Sequence, residues 1–164
     1  MTIKLQRNAA SAAAACLAFA GIAALAPAAR AENIVETLNG SWSGSGRIVY
    51  TDGSSEGIRC NAFYTGGGRD LSMAIQCKSD RNPIHIRSKL RIDGSRASGD
   101  WEERTFNASG SASGSVGPNS MSLKVSGGGF DGQMAVSFSK SQHDITVTTK
   151  GIAMSRATMS LSRK

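Results

Sequence analysis

Cys60 and Cys77, His85 and His143, the adjacent Glu102 and Glu103, and the alternating Arg87, Lys89 and Arg91 are the side chains whose types and spacing bear on chemistry. The two cysteines lack CxxC spacing, and no histidine lies within a few residues of either. That pattern fits a structural disulfide better than a redox pair or a metal ligand set. Glu102 and Glu103 could serve as an acid–base pair only from a shared face. Neighbours on a strand leave by opposite faces, so these two alone make no glycosidase-like pair. The chain has no G-x-S-x-G elbow, no P-loop and no dinucleotide fingerprint running into a helix. The expectation is a non-enzymatic protein with no catalytic residue, no metal and no cofactor.

The basic run carries the sharper alternative. Within residues 84–92, Ile84, Ile86, Leu90 and Ile92 point one way, and His85, Arg87, Lys89 and Arg91 point the other. Arg87, Lys89 and Arg91 are therefore candidates for binding anionic groups. A second expectation weakens that stripe. With Asp93-Gly94 as a type I′ turn, the outward pairs become Lys89–Ser98, Arg87–Asp100 and His85–Glu102, and opposite charges across a ladder attract.

These residues must be positioned by strands. Residues 57–79 read as a hairpin: Ile58, Cys60, Ala62 and Tyr64 alternate with Arg59, Asn61 and Phe63, and Leu71, Met73, Ile75 and Cys77 alternate with Ser72, Ala74 and Gln76. A two-residue turn at Gly68-Arg69, with glycine first as type II′ favours, pairs Gly66 with Leu71, Tyr64 with Met73, Ala62 with Ile75 and Cys60 with Cys77. A slip of one residue would split both faces. Residues 107–116 are almost wholly Ser, Ala and Gly, yet Ala108, Gly110, Ala112, Gly114 and Val116 share one face. Pairing back across Gly117-Pro118-Asn119-Ser120 sets Val116 against Met121, Gly114 against Leu123 and Ala112 against Val125. Such a smooth wall accepts Trp42, Phe130 or Phe138 from across a filled core, or it lines a pocket with them. Further strand faces are Trp42, Gly44, Gly46, Ile48 and Tyr50; Phe130, Met134, Val136 and Phe138; Ile145, Val147 and Thr149 after a polar turn at Ser141-Gln142-His143; and Ala157, Met159 and Leu161. The fold class is all-β: a single antiparallel barrel or sandwich of about eight to ten short strands. A short helical turn over residues 32–38, with Ile34 and Leu38 on one side, precedes them.

The first 31 residues have the form of a signal peptide. Lys4 and Arg7 precede an uncharged Ala-rich run, and Ala29-Arg30-Ala31 offers an A-x-A cleavage site. Residues 32–164 then form one β-barrel-like domain in the periplasm, where a disulfide persists. No later segment is apolar and long enough to cross a bilayer as a helix. The formal charge is +7; Lys4, Arg7 and Arg30 account for three of it, leaving +4, too mild for a nucleic-acid partner.

Gly40-Ser41-Trp42 at the entrance of the first strand, after a helical turn and with a basic residue near the last strand, resembles lipocalin-type barrels. The resemblance implies that Trp42 packs at the barrel base under Arg156 or Arg163. The wider pattern of GSWSGSG, Cys60 to Tyr64, Cys77 and GDWEER is similar to small exported bacterial proteins of unestablished function, which implies a location and no chemistry. Two functions are open. One is engagement of an envelope component, a protein or an anionic lipid, through the surface or loops. The alternative is binding of a small apolar or amphipathic ligand inside the barrel.

Overall fold

A computed structural model describes residues 34–164; the candidate signal peptide at residues 1–31 lies outside them. After α1 (Ile34–Leu38) come β1 (Gly40–Tyr50), β2 (Ser55–Gly67), β3 (Asp70–Lys78), β4 (Pro83–Asp93), β5 (Arg96–Glu103), β6 (Ala108–Gly117), β7 (Ser120–Gly127), β8 (Phe130–Phe138), β9 (Gln142–Lys150) and β10 (Met154–Arg163). Every strand pairs antiparallel with its sequence neighbours, and β1 pairs with β10, so a ten-stranded meander closes on itself. The architecture is a barrel and not a sandwich. Closure leaves no free sheet edge.

The β2–β3 register is the expected one, with Cys60 opposite Cys77 and Tyr64 opposite Met73. Gly68 has φ 60°, as the first central position of a type II′ turn requires. Cys60 and Cys77 are joined in a disulfide inside the barrel, with Cα atoms 4.1 Å apart. The Met159 thioether packs on it, 3.5 Å from Cys60 Sγ. The β6–β7 register also follows expectation, from Val116 opposite Met121 to Ala112 opposite Val125. Close backbone approach accounts for the glycine of this wall. A Cβ at Gly114 would lie 1.9 Å from the Ser122 carbonyl oxygen.

The β4–β5 register differs from expectation. Asp93 pairs with Arg96, so the turn is Gly94-Ser95 and Gly94, at φ 59°, takes the first central position, as Gly68 does. Moving the turn by one residue moves each partner by two. Arg87 faces Glu102, Lys89 faces Asp100 and Arg91 faces Ser98. A shift of two preserves the faces, which is why the hydrophobic pattern alone did not select between these registers.

His143 is a second correction. It belongs to β9 and not to the preceding turn, and it is fully buried. Its ring stacks on the Trp42 indole with centroids 3.5 Å apart, flanked by Tyr64 and edge-on to Phe138. The other partner of Trp42 is Arg163, whose guanidinium carbon lies 4.2 Å from the indole centroid. The indole N–H donates to the Leu38 carbonyl at 2.9 Å. Arg163 donates to the carbonyls of Thr37, Asn39 and Lys140, each at 2.7 Å. Gly40, at φ 130°, has a backbone conformation that favours glycine, and a Cβ there would sit 2.6 Å from an Arg163 nitrogen and push the guanidinium aside. The helical turn thus seals this end, the base, with Val35 and Leu38 fully covered.

Two outcomes follow from this packing. Unreduced protein should be lighter than the dithiol by two hydrogens. Cys60→Ala together with Cys77→Ala should cost about 3 kcal/mol in a chemical denaturation, given the 17-residue separation. Free thiols in the unreduced protein would refute the bond. Burial first, and the Arg163 charge second, lower the His143 pKa from 6.5 to about 4. The native state favours neutral imidazole while the unfolded chain binds a proton below pH 6.5. Stability is therefore complete above 6.5 and is lost as pH falls through about 4, by up to roughly 3 kcal/mol. His143→Phe should flatten that part of the pH profile; an unaltered profile would remove His143 as its source.

Candidate functional site: the barrel mouth

The inner wall changes character from base to mouth. Along β4, Leu90 and Ile92 near the base are buried while Ile86 and Ile84 are partly exposed. Along β8 the same gradient runs from Phe138 and Val136 to Met134 and Phe130. Val125 on β7 and Val147 on β9 continue the half-exposed ring. All these residues occupy the inward positions of alternating strands, so their exposure marks an accessible apolar wall at the mouth.

Trp101 stands in that ring. It is 9% exposed, its ring centroid is 5.1 Å from that of Phe130, and its indole N–H has no partner among the described residues. A buried donor of this kind carries the full cost of desolvation unless something accepts from it. The β7–β8 turn lies against the indole: a Cβ at Gly128 would meet the Trp101 ring at 3.3 Å and the Ala108 methyl at 2.8 Å.

Carboxylates fix two mouth turns. Glu103 accepts from the backbone N–H groups of His85 and Phe106, each at 2.7 Å. Glu56, buried on the opposite side, accepts from the Tyr50 hydroxyl and from the N–H groups of Asp80 and Arg81 at 3.1 and 3.2 Å. The Tyr50 hydrogen bond is the main cause holding the Glu56 carboxyl below its usual range. The Arg81 guanidinium covers the Tyr50 ring at 4.1 Å.

The five residues considered for a pocket are divided by the fold. Trp42 and Phe138 belong to the base cluster, fully packed, and Ala112 and Gly114 lie on the wall between the ends. Phe130 alone stands at the mouth. Trp101 was not among the five because its neighbours in the sequence are charged. Its inward position on β5, two residues beyond Gly99, was the available signal.

The basic stripe lies on the outer wall. Arg91 pairs with Asp70 at 3.4 Å, while Arg87 and Lys89 face Glu102 and Asp100 across the ladder without reaching ion-pair distance. A shallow depression of about 360 Å³ beside it is lined by Arg91, Asp93, Arg96, Ser98 and Ser113. Asp93 there is held by Arg69 at 3.1 Å, so part of its charge is already matched. Among the described residues, no group of three or more His, Cys, Asp or Glu is placed to hold a metal ion, and no helix is long and apolar enough to cross a membrane.

No family model matches the chain, and no curated protein is significantly similar to it. Solved structures are similar in fold. Rv2717c from M. tuberculosis superposes with a TM-score of 0.64 at 13% identity, covering 83% of this chain and 98% of its own. The S-type phycobiliprotein lyase CPES from Guillardia theta gives 0.56 at 15% identity, covering 80% and 90%. What they share with this chain is the small β-barrel.

Changing Arg87, Lys89 and Arg91 together to Ser should shift the denaturation midpoint little, since each exposed pair is worth about 0–1 kcal/mol. A loss of several kcal/mol would show that the stripe is structural.

Proposed function

We propose that the protein is a non-catalytic carrier that binds a small amphipathic ligand at the barrel mouth. The observation that carries this reading is the unpartnered, buried N–H of Trp101 beside the half-exposed ring of Ile84, Ile86, Val125, Phe130 and Val147. An apolar wall with one placed donor is the ordinary composition of a small-ligand site. The apolar body of the ligand would rest on the ring, and an acceptor near its head would take the Trp101 proton. Lipocalin-type barrels and the lyase-type barrel of the structural neighbour give this reading loose support at the level of fold. The sealed base favours a single entrance. Residues 1–31 read as an export signal, so the compartment proposed is the periplasm.

Binding of a dansylated undecanoic acid, followed by its fluorescence, tests the site. Saturable binding is expected. Phe130→Asp should weaken it about tenfold or more, by placing a carboxylate in the apolar ring. Trp101→Phe should weaken it about fivefold, as the loss of one hydrogen bond of about 1 kcal/mol predicts. Unsaturable binding, or equal affinity in wild type and Phe130→Asp with circular dichroism unchanged, would overturn the proposal.

A further inference from the structure

The five turns around the mouth divide into two unlike lips. Turns 51–54 and 79–82, which join β1 to β2 and β3 to β4, are polar and carry Asp52 and Asp80 together with Arg81. Turns 104–107, 128–129 and 151–153 complete the rim, read RTFN, GG and GIA and contain no acid; the last of them adjoins turn 51–54, where the Thr51 N–H donates to the Ala153 carbonyl at 2.8 Å. Phe106 is 62% exposed and Ile152 is 36% exposed, each at a turn of this second lip. The exposed Phe106 sits on a fixed turn. Its N–H is held by Glu103 at 2.7 Å, and the next residue, Asn107, is in the left-handed region at φ 53°. Between the two apolar tips the Gly128-Gly129 turn offers no side chain. Arg104 lies in the lip, and Lys150 adjoins it, opposite Asp131 on the outer wall.

We infer that the acid-free lip docks on a lipid bilayer, with Phe106 and Ile152 inserted and Arg104 and Lys150 near the headgroups. The two tips are separated protrusions and not a continuous groove. Protrusions of this kind suit a surface without fixed shape, whereas a protein partner needs a complementary contiguous face. Cations beside the apolar tips favour anionic headgroups, and Asp52 and Asp80 lie in turns outside the inserted ones. Phe106 and Ile152 lie on turns beyond the inward-facing ring, so docking does not require the mouth to hold a ligand.

Flotation of the purified protein with vesicles of phosphatidylethanolamine and phosphatidylglycerol tests the inference. Wild type should float, and more weakly with vesicles of phosphatidylcholine alone. Phe106→Ser with Ile152→Ser should reduce partition about tenfold or more, because each apolar side chain of this size transfers with a large fraction of that factor or better. Phe63→Ser is the control: Phe63 is 47% exposed on the outer wall of β2, away from the lip, and its loss should not reduce partition. Binding of the dansylated probe should be unchanged in the lip variant, which separates failure of docking from failure of the mouth site. The inference is overturned if wild type does not float, if the lip variant floats equally, or if Phe63→Ser loses as much. It is also overturned if the lip variant abolishes a concentration-dependent dimer while vesicles bind neither form, since the lip would then seat a second copy.

Discussion

The guanidinium of Arg163, on the last strand, joins residues 37–42 and the β8–β9 turn at one point. It lies over the Trp42 indole of the first strand and donates to Thr37 of the helical turn, Asn39 beyond it and Lys140 of the β8–β9 turn. Carbonyls at the end of a helix and the face of an indole are both electron-rich, so one planar cation satisfies them together. The closing β1–β10 ladder begins here, with Trp42 opposite Arg163. Without this contact the first and last strands would still pair, but the helical turn would be held only by the Trp42 N–H on the Leu38 carbonyl, the Asn39 amide on the Gly66 carbonyl and the burial of Val35 and Leu38. Gly40 is the condition of the arrangement, since any side chain there would displace the guanidinium.

A sealed base shapes the rest of the molecule. Neither ring nitrogen of the buried His143 has a partner among the described residues, and stacking on Trp42 with contact to Tyr64 and Phe138 offsets the lost hydration of a neutral ring. The same closeness of Arg163 that organises the base disfavours a second positive charge there. Large side chains crowd this end, and small ones, with glycine where strands approach most closely, form much of the wall beyond it. The gradient of exposure along β4 and β8 is the consequence: the barrel is packed from one end and remains accessible from the other.

The parts legible in the sequence were those where two constraints agreed. In the disulfide hairpin, alternation, the glycine of the turn and the facing cysteines all gave one register. In β6–β7, small residues opposite large ones did the same. The β4–β5 turn had one constraint fewer, because glycine is acceptable at either central position and a shift of two leaves every face intact. His143 was hidden for a different reason. Histidine between Gln142 and Asp144 carries no apolar signal, and only the base cluster, assembled from residues a hundred positions apart, reveals its burial. Trp101 was obscured likewise by the charges around it. Arg163, in contrast, was reachable through the lipocalin-like arrangement of Gly40, Trp42 and a late basic residue, and the structure selects it over Arg156.

Serine explains why so glycine-rich a chain forms sheet at all. On β6, Ser109, Ser111, Ser113 and Ser115 face outward while Gly110, Ala112 and Gly114 face inward, and β7 answers with Ser120, Ser122 and Ser126. Ser111 faces Ser126 with hydroxyls 3.4 Å apart, and Ser115 faces Ser122. A disordered linker of the same composition would have no reason to keep this period of two. Here the alternation separates a wettable outer surface from an inner wall of small residues, in which Gly110 and Gly114 sit against the backbone of β7. The outer wall of these strands is then polar and nearly uniform. The exposed apolar tips Phe106 and Ile152 stand instead on the mouth turns, where the strand pattern no longer dictates the residue at each position.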